Sequence, residues 1–180
     1  MNLFFLCIDP KKCAQYHCDK HVVKMIIELV QMLYTAHRIL GSDLPPDAYQ
    51  LHSKNHPICV WIRKNIYNYT YAARVAVELS KEYTYRYFKV HSSGPHADWL
   101  LDNIPVFKID SEYVNLPIFS SNQYFESLGM TPIPLAMPEN SMLVDTIKSY
   151  RQYYLLHKVR FAKWTRRDIP DWFCYINVFN

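Results

Sequence analysis

Apolar residues recur with a helical period in the stretch between Cys13 and Leu40. The members of this repeat are Val22, Ile26, Leu29, Leu33, Ala36 and Leu40. Further apolar side chains cover most of the remaining surface, which is typical of a helix surrounded by protein on most sides. The pattern therefore predicts a central buried helix that begins near Lys12 and ends at Gly41.

The polar positions of this helix form one narrow row. Its members are His17, His21, Lys24, Glu28, Gln31, Thr35 and Arg38. Spacings of three and four place such side chains along a single face. One interpretation is a solvated face in which Lys24 and Glu28 form an ordinary surface pair. The other is an ionisable row inside the protein that carries acid–base or electrostatic catalysis, with Glu28, His21 and Lys24 as its candidates.

The rest of the chain continues the helical pattern. A capping signal at Ser53–Pro57 begins a helical region that runs to about Lys89, with a possible break near Asn65. Prolines then interrupt residues 92–140, where we expect a long irregular excursion with at most a short helix or strand pair. A third helix is predicted over residues 142–167, followed by an aromatic tail that packs on the core. The predicted fold is mainly α, a compact helical domain of residues 1–180 around the central helix.

Composition narrows the class of protein. Half of the residues are hydrophobic and one fifth are charged, which predicts a packed globular chain. Only three glycines are present, which argues against glycine-rich phosphate loops. Five cysteines in no disulfide-like pattern indicate reduced thiols and an intracellular location. No stretch is long enough to span a membrane and the first residues do not resemble a signal peptide, so we expect no membrane partner.

The region from Thr146 to Arg167 combines positive charge with aromatic rings. It contains seven basic residues and no acidic one, and the aromatic side chains are interleaved with them: Lys148, Arg151, Lys158, Arg160, Lys163, Arg166 and Arg167, with Tyr150, Tyr153, Tyr154, Phe161 and Trp164. Phosphates require positive charge, and unstacked bases require aromatic or guanidinium planes. The region therefore favours a nucleic-acid partner, although a solvated basic face over an aromatic core has the same composition.

Metal and covalent chemistry are the competing interpretations. His17 and His21, and likewise His52 and His56, have the i,i+4 spacing of helical zinc ligands, but neither pair carries the glutamate of an HExxH motif. We expect no metal site and no cofactor. A thiol nucleophile at Cys18 lacks the sequence context of known cysteine enzymes. The lysines Lys20 and Lys24 could form a Schiff base with an aldehyde if they were buried, and the N-terminal amine is a further candidate.

Two resemblances arise from particular motifs. The segments DKHVVKMI, SKNHP, EYTYRYFKVH, LAMPEN, SYRQYYLLHK and FAKWTRRDIPDWF together resemble a family of small, largely uncharacterised proteins of tailed phages and large DNA viruses. For a viral protein, the expected intracellular location is the host cytoplasm or nucleus. Asp19-Lys20-His21 followed by Glu28-Leu29 is similar to the first helix of pyrimidine-dimer DNA glycosylases of the phage endonuclease V type. The segment from Ile66 to Phe88, with Glu82 and Arg86 near its end, resembles the second helix of that family.

The second resemblance implies base excision in double-stranded DNA. It implies that Glu28 is the carboxylate that stabilises the ring-opened sugar and promotes β-elimination, and that His21 contacts the DNA. Enzymes of that family attack the anomeric carbon with an N-terminal α-amine and flip a nucleotide out of the duplex. Two departures are evident: the chain begins Met-Asn, and the family's arginines around the glutamate are replaced by Ile27, Val30 and Gln31. Candidates to replace those arginines in space are Lys24, Arg63 and Arg86.

The sequence therefore predicts a DNA-processing enzyme, a base-excision glycosylase or lyase acting on damaged or modified bases. The predicted catalytic residues are Glu28, His21, Lys24 and Lys20. The predicted nucleic-acid contacts are His17, His56, Arg63, Arg86, Arg151, Lys158, Trp164, Arg166 and Arg167. Two alternatives remain open: an enzyme that modifies nucleotides or free bases in the same pocket, and a nucleic-acid-binding protein without activity.

Overall fold

A computed structural model describes residues 2–107, 119–120, 125 and 127–174. Within this part, seven α-helices and one pair of two-residue strands form the fold, which is mainly α as predicted. The helices are α1 (Pro10–Tyr16), α2 (Asp19–Leu40), α3 (Pro57–Ile62), α4 (Ile66–Tyr87), α5 (Gly94–Asp102), α6 (Thr146–His157) and α7 (Asp171–Cys174). The strands β1 (Phe119–Ser120) and β2 (Ile133–Pro134) pair antiparallel.

The core is built around α2 and α4, which pack on each other more extensively than any other two elements of the described chain. Helix α2 contributes a buried series that runs from Val22 to His37, and Gly41 ends the helix in the left-handed conformation at φ 77°. The extended residues 3–6 are also buried, with Phe5 packed against Trp61 and Tyr71. This arrangement confirms the prediction of a central buried helix.

The central helix starts later than predicted. Its predicted first turns form the separate helix α1, because His17 and Cys18 adopt extended conformations and interrupt the helix. The backbone groups freed by this break are used by a distant segment. The Trp164 indole N–H donates to the Tyr16 carbonyl at 3.0 Å, and the Asp19 N–H donates to the Lys163 carbonyl at 2.8 Å. Tertiary contacts therefore override a continuous helical pattern.

The surface of α2 also differs from the prediction. Val23, Ile27 and Ile39 are exposed by about two fifths each, so one apolar side of the helix faces solvent. Conversely, several members of the polar row are buried: His17, His21, Glu28 and Thr35. The row is therefore not a solvated face, and among its members Lys24 alone is exposed.

The second helical region matches the prediction closely. Asn65 caps α4 by accepting a hydrogen bond from the Asn68 N–H at 2.8 Å, which explains the predicted break. In the excursion, α5 and the strand pair are present, but residues 108–118 and 121–124 lie outside the described part. The third helix is shorter than predicted, because α6 ends at His157 and residues 158–162 turn back on themselves. Much of the predicted basic helix is therefore irregular.

Candidate functional site

The carboxylate of Glu28 is the centre of the candidate site. Glu28 lies in the middle of α2 and is only 7% exposed. Its Oε2 accepts a hydrogen bond from the Asn2 backbone N–H at 2.9 Å. Its Oε1 lies 3.2 Å from Nζ of Lys24, whose side chain is 68% exposed. A buried carboxylate thus has a backbone nitrogen on one oxygen and a solvent-facing amine on the other.

Asn2 is held firmly against α2. Its side-chain Nδ2 donates to the Ala136 carbonyl at 2.9 Å, and its Oδ1 accepts from the Leu3 N–H at 2.8 Å. The following residues Leu3 and Phe4 are buried. The start of the described chain is therefore fixed beside Glu28 by both its side chain and its backbone. The sequence does not reveal this contact, because 26 positions separate the two residues.

His21 lies two helical turns before Glu28 on the same face of α2. Its ring stacks on Phe4 with centroids 4.5 Å apart, and its Nδ1 shares a hydrogen bond with the Tyr154 hydroxyl. Burial lowers the pKa of His21 to about 3, and the positive charges of its neighbours, including Lys158 and Lys24, act in the same direction. His21 is therefore a neutral group at pH 7, suited to hydrogen bonding rather than to pairing with phosphate.

A half-buried aromatic and basic group lies next to His21. The ring of Tyr153 stacks on Phe4 with centroids 5.8 Å apart. Nζ of Lys158 lies 3.0 Å from the Tyr153 hydroxyl and 4.4 Å from the centre of its ring. Phe161 packs against His21 and lies under the ammonium of Lys20 at 4.8 Å. The structure thus brings the predicted Lys158 near the predicted catalytic histidine, and it adds Tyr153 and Phe4, which sequence reasoning did not select.

His56, a predicted DNA contact, approaches the same carboxylate from α3. Burial lowers the pKa of His56, and the negative charge of Glu28 opposes this shift. The Nδ1 of His56 accepts a hydrogen bond from the Ile58 N–H at 3.2 Å, so the imidazole also caps α3. One role of His56 is therefore structural, and a capping ring is held in a fixed orientation beside the candidate site.

A second group of charges lies at the N-terminal end of α2 and contains two of the predicted nucleic-acid contacts, Arg86 and Arg167. Arg86 is 2% exposed, and each of its guanidinium nitrogens is used within the protein. They bond to Glu82 at 2.7 Å, to Asp19 at 2.9 Å and to the Gln15 carbonyl at 3.0 Å. Arg167 adds two further bonds to the Glu82 carboxylate, at 3.0 and 2.8 Å. We call Asp19, Glu82, Arg86 and Arg167 the buried ion network.

The electrostatics of this network are those of a structural element. Burial alone would raise the pKa of Glu82, but hydrogen bonds from Arg167 and Arg86 outweigh it and lower the pKa below its usual range. The same contacts raise the pKa of Arg167. Arg86 has no free face for a phosphate and does not replace an arginine beside Glu28. We therefore exclude Arg86 from the proposed DNA contacts.

The remaining predicted contacts are distributed over the molecule. Trp164 is 7% exposed and fills the break between α1 and α2. His17 is fully buried beside His21, and burial lowers its pKa to about 4. Arg63 donates to the Lys54 carbonyl at 2.6 Å. Arg151 donates to the Leu6 carbonyl and lies over the rings of Tyr16 and Trp172.

Two of these residues have side chains that are not available to a ligand in this conformation, namely Trp164 and His17. Arg63 and Arg151 are half-buried and tie the chain to itself. Arg166 alone among the predicted arginines is exposed and stacks only on aromatic rings within the described chain. The catalytic candidates Lys20 and Lys24 are both exposed, so neither meets the condition of burial that the sequence analysis attached to Schiff-base formation.

Several further findings bear on the possible ligands. Among the described residues, no group of three or more histidine, cysteine, aspartate or glutamate side chains is arranged to hold a metal ion. The five cysteines are free thiols. No helix within the described ranges has the length and apolar character needed to cross a membrane. These observations leave the Glu28 site as the arrangement best suited to chemistry.

Comparison of the chain with models of protein families, with curated proteins and with solved structures finds no match in any of the three.

Proposed function

We propose that the protein is a base-excision enzyme of the DNA glycosylase and lyase type, acting on damaged or modified bases. The observation that carries the proposal is the buried carboxylate of Glu28 with Nζ of Lys24 3.2 Å from its Oε1. The Asn2 backbone N–H holds the other oxygen of this carboxylate at 2.9 Å. A primary amine beside a buried carboxylate is the pair that imine chemistry on an abasic sugar requires.

The proposed reaction assigns one role to each partner. The amine nitrogen forms a bond to C1′ of the deoxyribose as the bond from C1′ to the base breaks, and the base leaves with the electron pair and takes a proton. The sugar ring then opens by cleavage of the C1′–O4′ bond, which gives an imine and a protonated O4′. Removal of a proton from C2′ expels the 3′ phosphate. Glu28 carries the protons and stabilises the positive charge on nitrogen.

Lys24 supplies the amine in this proposal. Its side chain is 68% exposed, so a sugar can reach its Nζ from solvent while Glu28 stays buried beside it. We therefore propose Lys24 as the nucleophile and Glu28 as the carboxylate that acts on the bound sugar. His21, neutral and hydrogen-bonded to Tyr154, lines the site.

Charge near the site supports DNA as the substrate. Between Lys158 and Arg167 the chain has five basic residues and no acidic one. Lys158 lies beside the candidate site, while Lys20 and Lys24 project from the exposed side of α2. Cations arranged around a carboxylate compensate for the repulsion between that carboxylate and phosphate.

Borohydride trapping tests the proposal. The protein is mixed with duplex DNA that carries an abasic site, or with UV-irradiated duplex DNA, and is reduced. We expect a covalent adduct that mass spectrometry maps to the peptide containing Lys24. The adduct should be lost in Lys24→Ala and decrease strongly in Glu28→Gln, while Glu78→Gln, in the surface pair with Lys81 on α4, serves as the matched control. Absence of any adduct with either substrate would overturn the imine mechanism.

The alternative is a nucleic-acid-binding protein without activity. It is favoured by the same Lys24–Glu28 contact, because an i,i+4 pair on a helix is common in proteins without catalytic sites. This alternative predicts that Glu28→Gln binds DNA with the affinity of the unaltered protein and that no variant traps an adduct.

A further inference from the structure

An exposed cluster of aromatic rings and cations lies at the C-terminal end of α4. Phe88 is 77% exposed and Tyr85 is 41% exposed, which is unusual for side chains of this size. The guanidinium of Arg166 lies over Phe88, 4.0 Å from the ring centre, and 4.9 Å from the centre of Tyr85. Arg167 also covers Tyr85, at 4.0 Å. We call Phe88, Tyr85 and Arg166 the stacking platform.

Two residues of the platform have strained backbones. Phe88 has φ 54° and Arg166 has φ 61°, both in the left-handed region that favours glycine or asparagine. Phe88 is the residue that caps α4, a position where glycine would be the ordinary choice. A large apolar side chain that is strained, exposed and not needed for the core requires another explanation, and such residues cluster at functional sites.

The surrounding structure holds Arg166 in place. Its two neighbours in sequence are anchored: Thr165 donates three hydrogen bonds to the Asp19 carboxylate, and Arg167 donates two to Glu82. The Arg166 carbonyl accepts a hydrogen bond from the Tyr85 hydroxyl at 3.2 Å. The buried ion network therefore fixes the arginine over Phe88 before any ligand arrives, which reduces the entropy cost of binding.

The electrostatics of the platform suit an anion. Within the described chain, no side chain accepts a hydrogen bond from the Arg166 guanidinium, so its donors are available. The nearby carboxylates of Asp19 and Glu82 are already bonded to Arg86, Arg167 and Thr165. Lys89 follows Phe88 and is exposed. A ligand that combines a flat ring with a phosphate matches this combination of an open aromatic face and free positive charge.

We propose that the stacking platform binds an unpaired nucleotide of single-stranded DNA, whose base stacks on Phe88 and whose phosphate contacts Arg166 and Lys89. This inference rests on the proposed action on DNA and adds a second contact to it.

Asp19 begins α2 beside the platform and Glu28 lies nine positions further along. The separation along the helix axis is therefore about 13 Å, or about four nucleotides of one strand. The platform can hold a strand whose continuation reaches the site.

Fluorescence anisotropy with undamaged DNA tests this inference separately from catalysis. The probe is a labelled oligothymidylate of about 12 nucleotides, compared with a strand of equal length that lacks bases. The informative variant is Phe88→Gly, because glycine fits the positive φ and should leave the thermal unfolding midpoint unchanged or higher. Phe88→Trp retains a ring. Tyr67→Ala is the matched control, since Tyr67 is 56% exposed on α4 and no arginine of the described residues lies over its ring.

We expect Phe88→Gly to weaken oligothymidylate binding about 10-fold, in line with the loss of one stacked base. Phe88→Trp and Tyr67→Ala should bind as the unaltered protein does, and the base-free strand should not distinguish the variants. Equal binding of oligothymidylate by Phe88→Gly and the unaltered protein would overturn the inference. If an imine adduct forms but Phe88→Gly does not weaken oligothymidylate binding, the proposed function holds and the platform inference fails. If Phe88→Gly weakens binding but no adduct forms, the platform inference holds and the proposed function fails.

Discussion

Glu28 and Glu82 are both buried helical glutamates with a basic residue four positions away, yet their surroundings differ. Glu82 accepts hydrogen bonds from two arginines, one of them wholly buried, and is closed off from solvent. Glu28 receives a backbone N–H on one oxygen and an exposed lysine on the other. Because Glu28 and Glu82 are both buried, burial alone does not identify a candidate catalytic carboxylate. What distinguishes Glu28 is that the nitrogen beside it is a primary amine, Nζ of Lys24, on a side chain that is largely exposed to solvent.

The largest effect on stability is expected from Glu82→Gln. This change leaves Arg86 buried without a full countercharge, and breaking a buried pair costs about 3–5 kcal/mol. Urea unfolding followed by circular dichroism measures the loss. Glu78→Gln is the control, because Glu78 forms a surface pair with Lys81 and should change stability by about 0.5 kcal/mol or less. A loss below about 1 kcal/mol in Glu82→Gln would contradict a structural role for the network.

Lowering the pH should destabilise the protein through buried histidines that lie next to the site. Burial lowers the pKa of His17 to about 4 and that of His21 to about 3, whereas both titrate near 6.5 when unfolded. The unfolded chain therefore binds more protons below pH 6.5, and stability falls as the pH decreases. At pH 5 each histidine should account for about 2 kcal/mol.

The pH dependence of urea unfolding, measured between pH 7 and 5, checks this expectation. His17→Gln should reduce the slope by about one proton. Glu82 differs from the histidines because it stabilises the fold in its charged form. Its pKa is lowered on folding, so this stabilisation is fully present above the pKa of the unfolded state and is lost as the pH falls through the lower pKa of the folded state. A slope that His17→Gln leaves unchanged between pH 7 and 5 would contradict the assignment to His17.

The smallest effect on stability is expected from Lys24→Ala. The lysine is 68% exposed, so its pair with Glu28 should contribute about 0.5 kcal/mol or less. Thermal unfolding measures this, with Lys81→Ala as a matched change in an exposed pair on α4. A loss comparable to that of Glu82→Gln would show that the Glu28 site is as structural as the ion network, and would remove the distinction between the two glutamates.

The sequence predicted the helices better than the contacts between them. Period and capping residues located α4 and the end of α2, because these signals are local. The break at His17 and Cys18 was missed, since it depends on Trp164 and Lys163, far along the chain. The third helix was predicted too long because interleaved basic and aromatic residues keep a helical spacing even where the chain turns.

The geometry of the candidate site follows from the sequence only where its residues are close along the chain. Glu28 and His21 share one face of one helix, so local spacing places them together. The Asn2 contact joins residues 26 positions apart, and no sequence pattern signals it. The sequence predicts Arg86 and Arg167 as DNA contacts, because a basic side chain looks the same in sequence whether it faces phosphate or a buried glutamate. The i,i+4 pair of Glu82 and Arg86 was the available sign of the ion network.

The most direct test of the central claim compares Glu28→Gln with the unaltered protein in single-turnover cleavage of duplex DNA that carries an abasic site. We expect the cleavage rate of Glu28→Gln to be lower by about 100-fold or more. Its affinity for the same DNA and its thermal unfolding midpoint should remain close to those of the unaltered protein. A variant that is folded, binds the DNA and cleaves it at the unaltered rate would contradict the assignment of Glu28 as the catalytic carboxylate.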